Sequence, residues 1–600
     1  MFRSATPRAE SGAHRLLKPC PQVSSFVHRG ALPSGSIERG TPVCVHLGKG
    51  MRIPSRHQLV ALLLVATAGL TACSRSGSAA EDMGPSGPPR AGGTLTVAAD
   101  KEPDCYDPQV SPADVTASLM RNVYDSLIAQ RPDGSFAPWL ATGWKVSGDG
   151  TVYTFRLRRG VTFTDGTPFD ATAVKVNLDR VAAPATKSEY AAALIEPYRS
   201  TTVVDRHTVR IRLSRPFAPF LSALSTTYLG FHSPRSLHAA PGELCAGGPS
   251  AVGTGPFRFV SHTKGLQAEF VRNPRYAWAP QGAGHQGPAY LGTLVYRFLP
   301  VGFVRIGALL SGQAEVADGV PPQHTRTVRA DRRMRLIGQV PPGVGYTYFL
   351  NTRRAPFADR RIRLAAACAL DRRTLLESVY FGQRRPADSV LSPATPGHHP
   401  SPRAERPDRA RADRLLDAAG WDHRDQEGYR TWHGHRLSVD LPFVADFTPP
   451  EQRTLDEGVR ADLGRVGIEV RLIRLAANDF LPRRNAGRYD MVAFRWPAAD
   501  ADVLRTLFGS GQTFTQGGYN ASRTSDPVLD AWLRSASTVG DRARRDALYA
   551  RIQRRIAAQG YALPTAVDRR VVGAHRRVRG LTFDAHAWPL YQGVWLAGAR

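Results

Sequence analysis

An α/β fold is predicted from the length of the chain, its composition and the order of its segments. The chain has 600 residues, which allows two to four domains, and its 42% apolar and 22% charged residues are typical of a globular protein. Segments with the alternation of strands and segments with the spacing of helices mix through to the C-terminus. No internal repeat with a period of about 20–50 residues interrupts this order.

The individual elements follow from local patterns. Apolar and polar residues alternate in several segments, and the turn Gly148-Asp149-Gly150 separates two of them. Asp170 can cap a helix, because its carboxylate can accept the free backbone N–H groups of a first turn. Residues 386–408 are rich in Pro and His and predict a loop. The predicted strands lie in residues 93–98, 144–157 and 203–213, and the predicted helices in residues 117–128 and 171–181.

The charge of the chain is strongly basic. There are 79 basic and 51 acidic residues, a formal net charge of +28, which points to a nucleic-acid or anionic-membrane partner. However, only 7 of the basic residues are lysine, and the arginines are spread without a run of about 5–8 basic residues. We therefore expect a generally basic surface and no nucleic-acid partner.

Residues 51–72 have the organisation of a signal peptide. Met51 opens a basic stretch, an apolar run follows over residues 59–66, and small residues come next. The apolar run is too short to span a bilayer, and no later stretch approaches about 18 apolar residues. We expect Met51 to be the true start and residues 1–50 to be a non-native leader.

The signal segment ends in Leu70-Thr71-Ala72-Cys73, which resembles a bacterial lipobox. The resemblance implies cleavage before Cys73 and lipidation of its sulfur, which would anchor the protein on the extracytoplasmic face of the cell membrane. Residues 73–93 then predict a flexible tether. The alternative is an ordinary secretory signal followed by a chance cysteine.

Three cysteines lie in the body of the chain, where an oxidising compartment permits one disulfide among them. Cys105 and Cys245 both lie in loop sequence rich in Pro and Gly, which favours that pair. Cys368 lies in an apolar run, where a buried, inert thiol is expected.

Residues 141–171 closely resemble the signature of the family 5 extracellular solute-binding proteins, which serve oligopeptide, dipeptide and nickel ABC importers. Further blocks follow in the order of that family, and the resemblance extends from about Thr94 to the C-terminus. These blocks are Gly253-Thr254-Gly255-Pro256-Phe257, Asn273-Pro274 with Tyr276, residues 308–316, Phe349-Leu350-Asn351-Thr352 and residues 415–421.

The fold that this resemblance implies is a two-lobed clamp of the class II periplasmic-binding-protein type with an extra small subdomain. The ligand would lie between the lobes and be buried by hinge closure. We expect a monomer that passes its solute to an ABC permease and ATPase complex. The expected limits are 94–126, 212–340 and 565–600 for lobe I, 127–211 for the subdomain and 341–564 for lobe II.

The resemblance also implies site residues. In peptide-binding members an aspartate of the second lobe pairs with the α-amino group of the ligand, because a buried ammonium needs a carboxylate. The matching block carries Trp496 as an aromatic wall and Asp500 or Asp502 as the amine partner. Arg453 lies near the position of an arginine that holds the ligand carboxylate. The alternative for Asp500 and Asp502 is that both are solvated loop residues beside a core tryptophan. The alternative for Arg453 is that it is an exposed helix residue without a ligand.

Other motifs are weak or missing. Residues 282–287 match G-x-G-x-x-G, but no apolar strand leads into them and Pro288 follows directly. His433, His435 and the pair His398-His399 lack further ligands at metal-binding spacing. No hydrolase motif is present.

We therefore expect a non-enzymatic receptor for peptides without a cofactor. The alternatives are a receptor for a nickel chelate, a sugar or another small solute, an orphan signalling lipoprotein and, last, a cell-surface hydrolase.

Overall fold

The computed structural model describes residues 87–598 except 189, 239–240, 402–406 and 446–447. The expected leader, signal segment and Cys73, together with residues 74–86 of the tether, lie outside the described residues. No helix in the described part of the chain has both the length and the apolar character that crossing a membrane requires.

Lobe I is built on a seven-stranded sheet with the first strand of the chain at its centre. The strand Thr94–Ala99, predicted over residues 93–98, pairs in parallel with both of its neighbours, while the outer strands are antiparallel. Leu95 and Val97 are fully buried, as expected for a central strand. The strands lie in the order Met334–Gln339, Arg570–His575, Val316–Asp318, Thr94–Ala99, Thr293–Phe298, Gln267–Arg272 and Phe257–Thr263.

The subdomain is a four-stranded antiparallel sheet covered by one long helix. The predicted turn at Asp149 separates its first two strands, and the carboxylate of Asp170 accepts N–H groups of Thr172 and Ala173 at the start of the helix Ala171–Ala182, as predicted. The strands lie in the order Ala141–Val146, Val152–Leu157, Thr208–Leu213 and Tyr198–Asp205. The core below this sheet also contains Phe217, Phe220 and Phe231.

Lobe II contains a central strand, Gly343–Leu350, between the antiparallel strands Met491–Pro497 and Ala562–Pro564. A parallel pair, Ser438–Val444 and Glu469–Leu475, lies beside it. Helices cover both groups of strands and bury two apolar cores. These helices are Arg360–Ala369, Arg372–Tyr380, Arg409–Ala418, Pro450–Arg465, Ala477–Asn485, Val503–Phe508, Pro527–Thr538 and Arg542–Gln559.

Shorter elements connect these units. The remaining helices are Asp114–Met120, Tyr190–Leu194, Phe220–Ala223, Pro241–Ala246, Gly302–Leu310 and Thr325–Ala330. The remaining strands form small antiparallel sheets: Ile128–Gln130 with Phe136–Pro138, His423–Arg424 with Arg430–Trp432 and His435–Arg436, Val578–Arg579 with Trp595–Leu596, and Thr582–Phe583 with Pro589–Leu590.

The helix predicted over residues 117–128 ends at Met120, so its length was wrong. Side chains after Met120 bond to backbone carbonyl groups in place of further helical turns: Asn122 donates to the Leu119 carbonyl at 2.8 Å, and Arg121 donates to the Ser225 carbonyl at 2.9 Å. Ile128 already belongs to a strand. The apolar residues in this stretch are buried by turns rather than along one helix face.

The Gly253-Thr254-Gly255 block forms a buried turn. A Cβ atom at Gly253 would lie 2.0 Å from the Val123 carbonyl oxygen, so only glycine permits this approach of the two backbones. Thr254 donates its hydroxyl to the buried carboxylate of Asp125 at 2.9 Å. The block therefore joins the start of lobe I to its later strands.

A disulfide joins Cys105 to Cys245, which are 140 residues apart in the chain. Cys368 is half-buried on the helix Arg360–Ala369, and burial raises the pKa of its thiol.

Candidate functional site

A narrow cavity of about 50 Å³ lies between lobe II and the subdomain side of the molecule. Trp496, Asp500 and Asp502 all line it, so the structure brings these three predicted residues together. Helix Tyr190–Leu194, the segment around Phe220–Ala223 and the C-terminal tail form the opposite side. The residues lining that side include Tyr190, Leu194, Phe217, Ser222, Thr226 and His586. We call this space the interlobe cavity.

Aromatic rings continue across the interlobe cavity from one lobe to the other. The ring of Trp496 lies 4.1 Å from that of Tyr519 within lobe II and 5.4 Å from that of Tyr190 on the other side. Tyr190 in turn packs edge-on against Tyr228 at 4.8 Å, and Tyr228 lies 6.1 Å from Trp588. These contacts provide an apolar wall with polar edges. Trp496 therefore contacts both halves of the molecule.

Asp500 is held by an arginine of lobe II. Arg545 donates through both terminal nitrogens to the two Asp500 oxygens, at 2.6 and 3.0 Å. The backbone N–H of Asp502 also donates to Asp500 Oδ1 at 2.8 Å. Arg545 further donates to the Ala536 carbonyl at 3.0 Å, which fixes the guanidinium in place. Both carboxylate oxygens of Asp500 are therefore already bonded within the protein.

Asp502 differs because one of its oxygens has no partner. Its Oδ2 accepts from Arg505 Nε at 3.0 Å, whereas Oδ1 is buried and makes no hydrogen bond to the described residues. The residue is 6% exposed. Burial raises the pKa of the Asp502 carboxyl, and nearby Arg505 opposes that rise. An unpartnered buried oxygen in a cavity wall is a place for a donor from outside the chain.

The two sides of the cavity also touch directly. In two of these hydrogen bonds the acceptor is a backbone carbonyl of lobe II, and in the third it is the backbone carbonyl of Asp133. They are Gln130 Nε2 to the Ala499 carbonyl at 3.0 Å, Ala218 N–H to the Ser537 carbonyl at 2.8 Å, and Arg542 to the Asp133 carbonyl at 2.6 Å. In this arrangement the lobes are closed on each other.

The sequence profile of the bacterial extracellular solute-binding proteins, family 5 middle region, matches residues 135–516. The chain belongs to this family. The family and the two-lobed α/β fold predicted from the sequence are therefore confirmed. Solute-binding proteins of this family act outside the cytoplasm, bind peptides or other small ligands and deliver them to ABC permeases.

Individual relatives support the same assignment. A di/tripeptide-binding protein of Pseudomonas aeruginosa is 28% identical over 503 residues, which cover 79% of this chain and 89% of the relative. The structure of NikA from Brucella suis with Fe(III)-EDTA superposes with a TM-score of 0.74 at 26% identity, covering 84% of this chain and 100% of that one. A dipeptide-binding protein of Pseudoalteromonas with Met-Leu gives 0.71 at 25% identity, covering 84% and 100%. These relatives are binding proteins rather than enzymes.

Arg453 of this solute-binding protein lies apart from the other candidates. It is exposed on the helix Pro450–Arg465 and is not among the residues that line the interlobe cavity. Its role as a ligand contact stays a prediction.

Sequence reasoning missed Tyr190, Tyr228 and Arg545. The two tyrosines come from segments far from residue 496, and Arg545 is 45 residues beyond Asp500. The one local signal for Arg545 is its place in the first turns of a helix that Asp541 caps.

Among the described residues, no group of three or more His, Cys, Asp or Glu side chains is arranged to hold a metal ion. His398 instead pairs with Asp388, and the His399 ring contacts the Asp546 carbonyl. His435 lies in the last strand of the small sheet of residues 423–436, and His433 lies in the turn before that strand.

Proposed function

We propose that this chain is a peptide receptor of an ABC importer and that Asp502 holds the α-ammonium group of the ligand. The observation that carries the proposal is the buried Oδ1 of Asp502, which has no partner in the described residues and lies in the wall of the interlobe cavity. A ligand ammonium would supply the missing donor and a compensating charge. Asp500, the other carboxylate at this site, is already occupied by Arg545.

The surroundings of Asp502 fit an organic ammonium. The rings of Trp496 and Tyr190 present apolar surface and electron-rich faces, which attract a cation with attached carbon atoms. Arg505 bonds the other oxygen of the Asp502 carboxylate and leaves Oδ1 available. The site thus combines one acceptor with an aromatic wall, which suits the N-terminal residue of a peptide.

The closed cavity is too small for a whole peptide. Its volume of about 50 Å³ admits a few water molecules or one ammonium group, whereas sites for small organic ligands span roughly 300–1,000 Å³. The lobes therefore separate to admit a peptide and close around it, and the contacts between Gln130 and Ala499 and between Ala218 and Ser537 form at that step.

Two of the relatives support a peptide ligand. The Pseudomonas protein is named for di- and tripeptides, and the Pseudoalteromonas protein holds Met-Leu. The Brucella protein holds a metal chelate instead, so a metal chelate is the alternative class of ligand for this chain.

We further propose that the mature chain is a monomer held on the extracytoplasmic face of the cell membrane by a lipid on Cys73. The proposal is based on the Leu70-Thr71-Ala72-Cys73 motif and on the family being extracellular. The polar segment that follows Cys73 would place the receptor within reach of its permease.

Native mass spectrometry of the protein purified from its own host tests the ligand class. A series of masses that differ by amino-acid residues supports a peptide receptor. One discrete small molecule or a metal chelate at stoichiometric occupancy contradicts it. Tandem fragmentation of the released ligands separates the two outcomes.

A further inference from the structure

A second and larger cavity lies on lobe II, at the other end of the strand that carries Trp496. Asp490 directly precedes the strand Met491–Pro497, so its distance from Trp496 is about six strand residues, roughly 20 Å. The cavity has a volume of about 450 Å³ and opens to solvent. Its lining is Arg354, Asn478, Asp479, Arg483 and Arg488, with Leu475 and Pro482. We call it the arginine pocket.

A buried carboxylate orients the first of the three arginines. Arg354 donates from Nε to Asp490 Oδ1 at 2.6 Å, and Asp490 is 3% exposed. The other Asp490 oxygen accepts the backbone N–H of Asp440 at 2.8 Å, so the carboxylate cannot turn away. The two terminal nitrogens of Arg354 donate to no residue in the described part of the chain. Arg354 therefore offers two terminal NH2 groups as donors.

The second arginine is held in the same way. Arg483 donates from Nη2 to Asp440 Oδ2 at 3.1 Å and from Nε to the Arg488 carbonyl at 2.7 Å, which leaves Nη1 without an acceptor in the described residues. Asp440 is also buried and is shared with Arg471. Two anchored guanidinium groups thus line one pocket with donors to spare.

The third arginine completes a positive site. The guanidinium of Arg488 is exposed and has no partner among the described residues. Asp479 is the one carboxylate in the lining, and it is exposed. The lining therefore carries three guanidinium groups against one carboxylate. Asp490 and Asp440 lie behind Arg354 and Arg483 and serve to orient them.

We propose that the arginine pocket binds a phosphate group. Guanidinium groups present paired N–H donors that match the oxygens of phosphate, and anchored arginines lose little side-chain entropy on binding. The volume admits a phosphate ester as well as the free ion. Free inorganic phosphate and the phosphate of a lipid headgroup share this chemistry. The site is independent of the interlobe cavity.

The test compares two double variants that remove the same charge. Arg354→Gln with Arg488→Gln alters the pocket, and Arg544→Gln with Arg551→Gln alters exposed positions of the helix Arg542–Gln559. All are made in the full chain carrying Cys73→Ala, so that no lipid contributes to membrane binding. The probes are inorganic phosphate, by calorimetry, and flotation with vesicles of phosphatidylglycerol and phosphatidylcholine or of phosphatidylcholine alone.

We expect the pocket variant to bind phosphate at least 10-fold more weakly than the parent, and the helix variant to bind it equally well. Flotation with phosphatidylglycerol that the pocket variant loses and the helix variant keeps assigns the site to a headgroup; phosphate binding without such flotation assigns it to the free ion. The proposal is overturned if neither probe binds, or if both double variants lose binding equally. Arg488→Gln alone, at an exposed position, gives a folded protein in which the same loss is measurable.

Discussion

Asp502→Asn is the sharpest test of the proposed ligand site. The substitution keeps the size of the side chain and removes its charge. Asp502 is 6% exposed and its Oδ1 has no partner among the described residues, so a ligand ammonium bonded there pairs with this oxygen in a water-poor environment. The amide that replaces it presents either a neutral oxygen or an N–H group, which repels the ammonium.

The magnitude follows from the loss of one buried, charge-assisted hydrogen bond. Such a loss costs about 3 kcal/mol of binding free energy. At about 1.4 kcal/mol for each factor of ten, the dissociation constant rises roughly 100-fold. The backbone N–H of Asp502 still reaches Asp500, and Arg505 remains close to the new amide, so we expect the fold to be retained.

Calorimetry with trialanine and with N-acetyl-trialanine measures the effect. We expect the parent protein to bind trialanine, and acetylation of the peptide to lower its affinity about as much as Asp502→Asn does. Glu457→Gln, on an exposed helix position, is the neutral control. Asp500→Asn removes the partner of Arg545 and lowers the unfolding free energy by about 3 kcal/mol, measured by chemical denaturation. Equal binding of both peptides, or unchanged trialanine affinity in Asp502→Asn, would refute the assignment.

Four further outcomes are expected. Lowering the pH through the raised pKa of Asp502 protonates its carboxylate and weakens trialanine binding in calorimetry, and Asp502→Asn abolishes that pH dependence; an equal slope in the variant contradicts it. Burial raises the pKa of Asp456 to about 6, so the folded state keeps a proton there that the unfolded chain loses near pH 4. The unfolding free energy then falls by about 3 kcal/mol as the pH rises from about 4 to 6, and denaturation of Asp456→Asn lacks this slope. Asp170→Ala removes a helix cap and lowers the unfolding free energy by about 1 kcal/mol, with Glu377→Ala, an exposed position inside the helix Arg372–Tyr380, as the control. Cys73→Ala moves the protein from the membrane fraction to the soluble fraction, and continued membrane retention contradicts lipidation.

Local sequence patterns predicted the features that depend only on residues close together in the chain. The strand Val152–Leu157 alternates in sequence, and the side chains of Tyr153, Phe155 and Leu157 are buried on one face. Asp170 caps the next helix through contacts only two and three residues away. Both features depend on neighbours in the chain, which the sequence displays directly.

Tertiary contacts decide the features that were missed. The helix Asp114–Met120 is short because Arg121 bonds to the Ser225 carbonyl, 104 residues away in the chain, and local spacing cannot reveal such a contact. Likewise, the matching block identified Trp496 and both aspartates, yet it did not distinguish Asp500 from Asp502. That distinction depends on Arg545, which belongs to a helix brought alongside only by folding.

The contacts that close the lobes have a consequence for how such a receptor can evolve. The hydrogen bond between Ala218 and Ser537 joins two main-chain atoms, and in the bond between Gln130 and Ala499 the acceptor is a main-chain carbonyl. Every amino acid except proline carries the same main-chain groups, so substitutions at residues 218, 499 and 537 leave these donors and acceptors in place. The side chains of the interlobe cavity, by contrast, are open to selection. A lineage can therefore change the side chains that meet the ligand and still keep these contacts between the lobes.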